Sequence, residues 1–336
     1  MERDQENMQF LGLVGVYKES YMIMISWKKI FSLITLILIL PLSVIFLFME
    51  VSPHFCGDIS YYSKPHFVPR IHPRHTDETI SSQLLSFILF KLEYFVVFVL
   101  MGCFSLHPTS AVVYTVTSVY TDGSDGVTFN KVMNIVPKVW KRLVITFVCT
   151  ILAFFVYNVV VRLVIIFIWP IIIREKNYGT VIYVVIWVLD SLGLLYLTTI
   201  WQLANVVSML EDSCGFKAMM KSNELIKGKK FLSIIINYMS NYSFFSIQLL
   251  FSEVVLNGWK MQVDVGFVWR IPLGVLCVLV FCFMFLLMLV IQTVLYFVCK
   301  SYHHETIGKS ALSEQLEVYQ GEHEQQKVGV TQDSHV

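Results

Sequence analysis

Seven polar or ionisable side chains stand inside stretches that are otherwise apolar: His107, Ser110, Arg162, Asp190, Thr199, Gln202 and Gln292. Such groups are costly in hydrocarbon, so each is a candidate for a site or for a structural pairing. Arg162 and Asp190 lie symmetrically about residue 176. An antiparallel hairpin centred there sets them at equal depth, where they could neutralise one another as an ion pair, or serve a gate or a proton relay. Ser110, Thr199 and Gln292 recur at spacings of 89 and 93 residues, with Pro108, Asn205 and Thr293 close by. Their chemistry is hydrogen bonding, either as interhelical glue or as a headgroup or solute site where repeats meet. His107 stands out because its charge can change near neutral pH.

A second constellation, Lys138, Trp140, Lys141 and Arg142, falls in NKVMNIVPKVWKRLVITF (130–147). At 100° per residue Phe129, Val132, Met133, Val136, Val139 and Trp140 share one side, and Lys131, Lys138, Lys141 and Arg142 share the other. Such a helix is expected either in the headgroup layer, kinked at Pro137, with its cations toward anionic lipid or a protein partner, or as a cytosolic extension of the third span.

The elements that must position these residues follow from composition. With 56% hydrophobic and 15% charged residues and a mean hydropathy of +0.66, the chain of 336 residues belongs in a bilayer. Only helices satisfy their own backbone there, at about 20 residues per span. Six runs fit: about 31–49, 92–120, 143–172, 180–210, 231–256 and 271–299. Residues 1–30 and 301–336 are then cytosolic segments flanking a membrane domain at 31–300.

Lysine and arginine mark the cytosolic side of short loops. With Lys91 and Arg162 set aside, sixteen of the 25 fall on the side of the termini and seven on the other. Both termini are therefore expected in the cytosol. Basic pairs begin at Lys28, Lys141 and Lys229, each at the seam between a mixed segment and an apolar run. The pattern predicts an all-α protein of six spans arranged as three helical hairpins with cytosolic amphipathic helices. KSALSEQLEVY (309–319) reads as the start of a further unit.

Several classes are disfavoured. A net charge of +1 argues against nucleic acid as a partner. The seven cysteines form no C-x-x-C pair. His54, Cys56, Asp58, His66, His72 and His75 are ligand types, but prolines spread them through an outer loop, so neither a metal nor a cofactor is expected. No P-loop, H-E-x-x-H, G-x-S-x-G or paired-carboxylate arrangement occurs. The sequon at Asn241 falls inside the fifth run and is expected to stay unmodified.

LGLVGVYKESY (11–21), VPKVWKRL (136–143), IWQLANVVSMLED (200–212) and VCKSYHHE (298–305) resemble a plant family of uncharacterised multi-pass membrane proteins, over about residues 11–320. GFKAMMKSNELIKGKKFLSI (215–234) is similar to the A-x-x-x-S-x-x-L-x-x-G join of bacterial hairpin-repeat membrane domains, including the one attached to glycerophosphodiester phosphodiesterases. The resemblance implies a helical multi-pass fold and supplies no catalytic residue. The expected role is non-enzymatic: organising membrane lipids or membrane and cytosolic proteins at the endoplasmic reticulum or plasma membrane. The alternative is a small-solute or lipid transporter using the polar level.

Overall fold

The computed structural model describes residues 8–47, 76–121, 128–174, 179–256 and 267–303. The histidine-bearing outer loop up to His75 and the 309–319 stretch lie outside the described residues. Among those described there are helices and no strand.

Helix α1 spans Leu13–Ser26 and ends at Trp27. Helix α2 starts at Lys28 and runs to Ile34, then through a π turn at Thr35–Ile39 and on to residue 47. Helix α3 is Thr76–Thr121, α4 is Phe129–Arg174, and α5 is Gly179–Leu210. The short α6, Phe216–Ile226, leads to α7, Lys230–Leu250, which closes in a π turn at Phe251–Leu256. Helix α8 is Phe267–Tyr302.

Five of these helices are long and apolar enough to cross a membrane: Lys28–Leu47, Val99–Tyr120, Phe129–Ile168, Val184–Leu210 and Trp269–Tyr302. Helix α7, expected as the fifth of six spans, is long enough at 21 residues. Asn237, Asn241, Gln248 and four serines make it the most polar of the six. Helix α3 begins at Thr76, well ahead of the apolar run expected from about residue 92. At 46 residues each, α3 and α4 reach about 69 Å at ~1.5 Å per residue, against a hydrocarbon layer of about 30 Å. They must extend well beyond it.

The amphipathic stretch before Leu143 is therefore not a separate helix. Helix α4 runs unbroken through Pro137, whose missing N–H removes a single backbone bond. The seams at Trp27 and at Lys227–Lys229 do break the helix. One sequence pattern thus has two backbone outcomes.

Burial is concentrated toward the seams. Leu106, Ala111–Val113 and Tyr114 on α3, Val132, Val139 and Leu143 on α4, Leu203–Leu210 on α5 and Val290–Cys299 on α8 form the centre. Helix α8 is the hub, packing on α1, α3, α5, α6 and α7. The opposite ends of α4 and α5 expose apolar side chains such as Leu152, Phe155, Val184 and Trp187, as lipid-facing surfaces do. Hydroxyls in the spans mostly bond back to their own helix. Thr115 donates to the Ala111 carbonyl (2.8 Å), Thr293 to Leu289 (2.9 Å) and Ser43 to Ile39 (2.8 Å). A hydroxyl in hydrocarbon can therefore be satisfied without any partner helix. A glutamine or asparagine amide cannot be satisfied so simply.

Candidate functional site

Three contacts at the seam end join helices far apart in the chain. Tyr120, ending α3, donates to Glu19 of α1 at 3.4 Å. Arg142 of α4 donates to the Glu211 carbonyl at the end of α5 (2.8 Å) and lies 3.5 Å from the exposed Asp212 carboxylate. His303, past the end of α8, lies 3.1 Å from the Leu225 carbonyl of α6.

Helix α6 shows why its motif has that spacing. Ala218, Ser222 and Leu225 share one buried face at i, i+4 and i+7, and the Ser222 hydroxyl donates to the Ile200 carbonyl of α5 (2.8 Å). Gly228 then turns the chain at φ +97°, a conformation side chains with Cβ rarely adopt. At the other end Gly215 N–H donates to Thr146 Oγ1 (2.9 Å), which lies 2.6 Å from Ser208 Oγ. Glu211 accepts from Tyr296 (2.8 Å) and from Lys300 (3.0 Å), tying α5 to α8 with both ionised side chains mostly buried.

Of the seam candidates, Lys141 is exposed and Lys138 partly buried. Arg142 serves the contact with α5. Trp140 packs against His107 of α3, ring centroids 5.6 Å apart, and both His107 Nδ1 and Trp140 Nε1 are buried without a hydrogen-bond partner. His107 therefore joins the seam. Ser110, one turn along α3, is buried and donates to the His107 carbonyl (2.8 Å).

The other three members of the polar level do meet. Thr199, Gln202 and Gln292 line one cavity of about 10 Å³ between α5, α6, α7 and α8, with Ser233 and Ser240 on the α7 side. Asn237 of α7 donates to Thr199 Oγ1 (2.8 Å) and to the Leu195 carbonyl (3.1 Å), and accepts from Asn241 (2.6 Å). Gln292 is 5% exposed, and its Nε2 has no hydrogen-bond partner. Outside the spans, Tyr17 of α1 hydrogen-bonds with Ser240. Burial raises its phenol above the ordinary value, and that bond partly offsets the rise.

Arg162 and Asp190 are not brought together. The residue of α4 that meets Asp190 is Tyr157, which donates to the Asp190 carbonyl (3.1 Å) and packs over Gly193 of α5. The direction around the helix differs: Arg162 points outward and is exposed, while Asp190 is half-buried beside Tyr157, and no ion pair joins them. Hairpin symmetry determines depth along a helix and says nothing about the side on which a residue projects.

Sequence reasoning passed over Asn237, Ser233 and Ser240. The signal was present as a polar stripe at 233, 237, 240 and 241, the i, i+4, i+7, i+8 pattern of one helix face. Glu211 was hidden in a turn of mixed polarity. Among the described residues no three His, Cys, Asp or Glu side chains gather as a metal site.

Residues 1–333 match the sequence model of a family described as Domain of unknown function (DUF8558), and the chain belongs to that family. No curated protein and no solved structure matches.

Proposed function

We propose that this member of the DUF8558 family is a non-enzymatic integral membrane protein that gathers anionic lipid around the seam end of its helices. The observation that carries this is the mixture of exposed groups there. Phe231 is 79% exposed, Phe216 62% and Met220 51%. Lys28, Lys29, Lys141, Lys217, Lys227 and Lys230 are exposed among them. Apolar side chains of this kind sink to the acyl boundary while lysines sit among phosphates, at about 1 kcal/mol per cation.

The architecture that goes with this reading has six spans in three hairpins, α7 included, and both termini in the cytosol. Two observations support it: the excess of cations on one side, and the recurrence of an entering helix bound to a returning one at Glu19–Tyr120, Arg142–Glu211 and Leu225–His303. Either the endoplasmic reticulum or the plasma membrane fits it.

The test is lipid analysis of the purified full chain. Replacing Lys217, Lys227 and Lys230 together by Gln should lower the ratio of anionic to neutral co-purifying lipid by about tenfold or more, if each contributes ~1 kcal/mol. An unchanged ratio counts against lipid gathering, and loss of a co-purifying protein instead would reassign the surface to a protein partner.

A second reading, a small-solute or lipid transporter, has one observation in its favour: Thr199, Gln202 and Gln292 line the same cavity. Its volume is room for about one water molecule, so transport would need a second, wider conformation. Gln202→Leu should then abolish flux in reconstituted vesicles while the protein still assembles. Retained flux would exclude Gln202 from the path.

A further inference from the structure

We infer that the cavity between α5, α6, α7 and α8 binds a single neutral hydroxyl group, held by the Gln292 amide and brought either by water or by an uncharged lipid bearing a free hydroxyl. The inference depends on neither the seam nor transport, because it concerns occupancy alone.

One wall of the cavity is already satisfied. Asn237 Nδ2 uses both hydrogens, on Leu195 and Thr199, and its Oδ1 accepts from Asn241. Thr199 Oγ1 donates to the Leu195 carbonyl (2.7 Å), Ser233 to Lys229 (3.1 Å) and Ser240 to Ile236 (2.9 Å). Each of these hydroxyl oxygens keeps lone-pair capacity, but their protons are committed. The wall opposite carries Gln292, whose amide hydrogens are buried and unmet. The missing partner is therefore an acceptor oxygen. A buried amide in this state is uncommon enough to require an account.

The lining restricts what that acceptor can be. No lysine, arginine, histidine, aspartate or glutamate lines the cavity, so a carboxylate, phosphate or metal ion would lie uncompensated in a low-dielectric site. A hydroxyl oxygen accepts from Gln292 and can donate its own proton to Thr199, Ser233 or Ser240 across the space. A volume of about 10 Å³ admits one such oxygen and no larger solute. Gln202 adds a second amide to the lining, and the apolar remainder, Leu203, Ile226, Ile236, Met288, Ile291 and Leu295, suits the hydrocarbon of a lipid that inserts only its hydroxyl.

The experiment uses the full chain in phosphatidylcholine nanodiscs containing either diacylglycerol or the same lipid with its hydroxyl acetylated, read by native mass spectrometry. Retention of diacylglycerol about tenfold above the acetylated form, lost in Gln292→Leu and kept in Gln292→Asn, identifies the lipid source. If Gln292→Leu fails to assemble, Met288→Phe fills the cavity from its apolar wall and should abolish retention equally. With no selective retention, an ordered solvent peak within hydrogen-bond distance of Gln292, in a high-resolution map of phosphatidylcholine nanodiscs, identifies water. Equal retention of both lipids, retention indifferent to Gln292, or neither retention nor a solvent peak overturns the inference.

Discussion

Tyr302, in the last turn of α8, lies across Gly228 so closely that a Cβ added there would fall 2.1 Å from its ring. Lys229 sits over the same ring, 5.4 Å from its centroid. The end of the last span is thereby locked to the turn that begins α7. Gly228→Ala should destabilise the fold by about 1–2 kcal/mol from the left-handed backbone alone, with the ring clash added. The measurement is thermal unfolding in detergent, repeated in a Tyr302→Ala background. There the clash is gone and the loss should shrink; equal losses in the two backgrounds would mean that the ring moves aside freely.

Thr146 serves two helices, accepting from Gly215 N–H while lying 2.6 Å from Ser208 Oγ. Thr146→Val keeps the shape and leaves a buried N–H unpaired, a loss of about 1–3 kcal/mol. Ser208→Ala should cost less, because Thr146 can still donate to the Arg142 carbonyl (3.2 Å). The reverse order in unfolding experiments would show that Ser208 is the group on which the seam depends.

Glu211 and Lys300, 3.0 Å apart with side chains 18% and 15% exposed, are sequestered enough for one to be harmed by losing the other. Lys300→Met should destabilise by about 3 kcal/mol, the low end for breaking a buried pair. The double variant Glu211→Gln with Lys300→Met should recover much of that stability. Additive losses would indicate a surface-like pair instead.

The six-span reading has its own check in glycosylation. If α7 crosses the membrane, Asn241 stays unmodified, whereas a sequon placed between α7 and α8 acquires glycan in microsomes. Tags on both termini should be cleaved by protease added to the cytosolic side of sealed vesicles. Modification at Asn241, or protection of either tag, would require a different topology.

The membrane class and the helices were legible because they depend on local quantities. Long apolar runs need helices to satisfy their backbone, and the runs near 143–172, 180–210 and 271–299 each lie within a single helix, α4, α5 and α8. The ends were less legible. Helix α3 gained residues from Thr76 because a helix continues past the bilayer while its backbone is favourable, whatever its hydropathy. Helix α7 carries enough amide and hydroxyl groups to blur the apolar signal.

The polar groups divide in the same way. By itself the sequence determined which side chains lie in apolar stretches, since that follows from the local run of residues. It also determined the seams, where lysines accumulate beside aromatic residues. Only the tertiary structure decided who meets whom: Thr199, Gln202 and Gln292 at one cavity, His107 against Trp140, and Asp190 beside Tyr157 with Arg162 turned away. Those meetings depend on the rotation of each helix about its axis and on the choice of its neighbours. Both are set by packing between residues far apart in the chain, which spacing within a single helix does not encode.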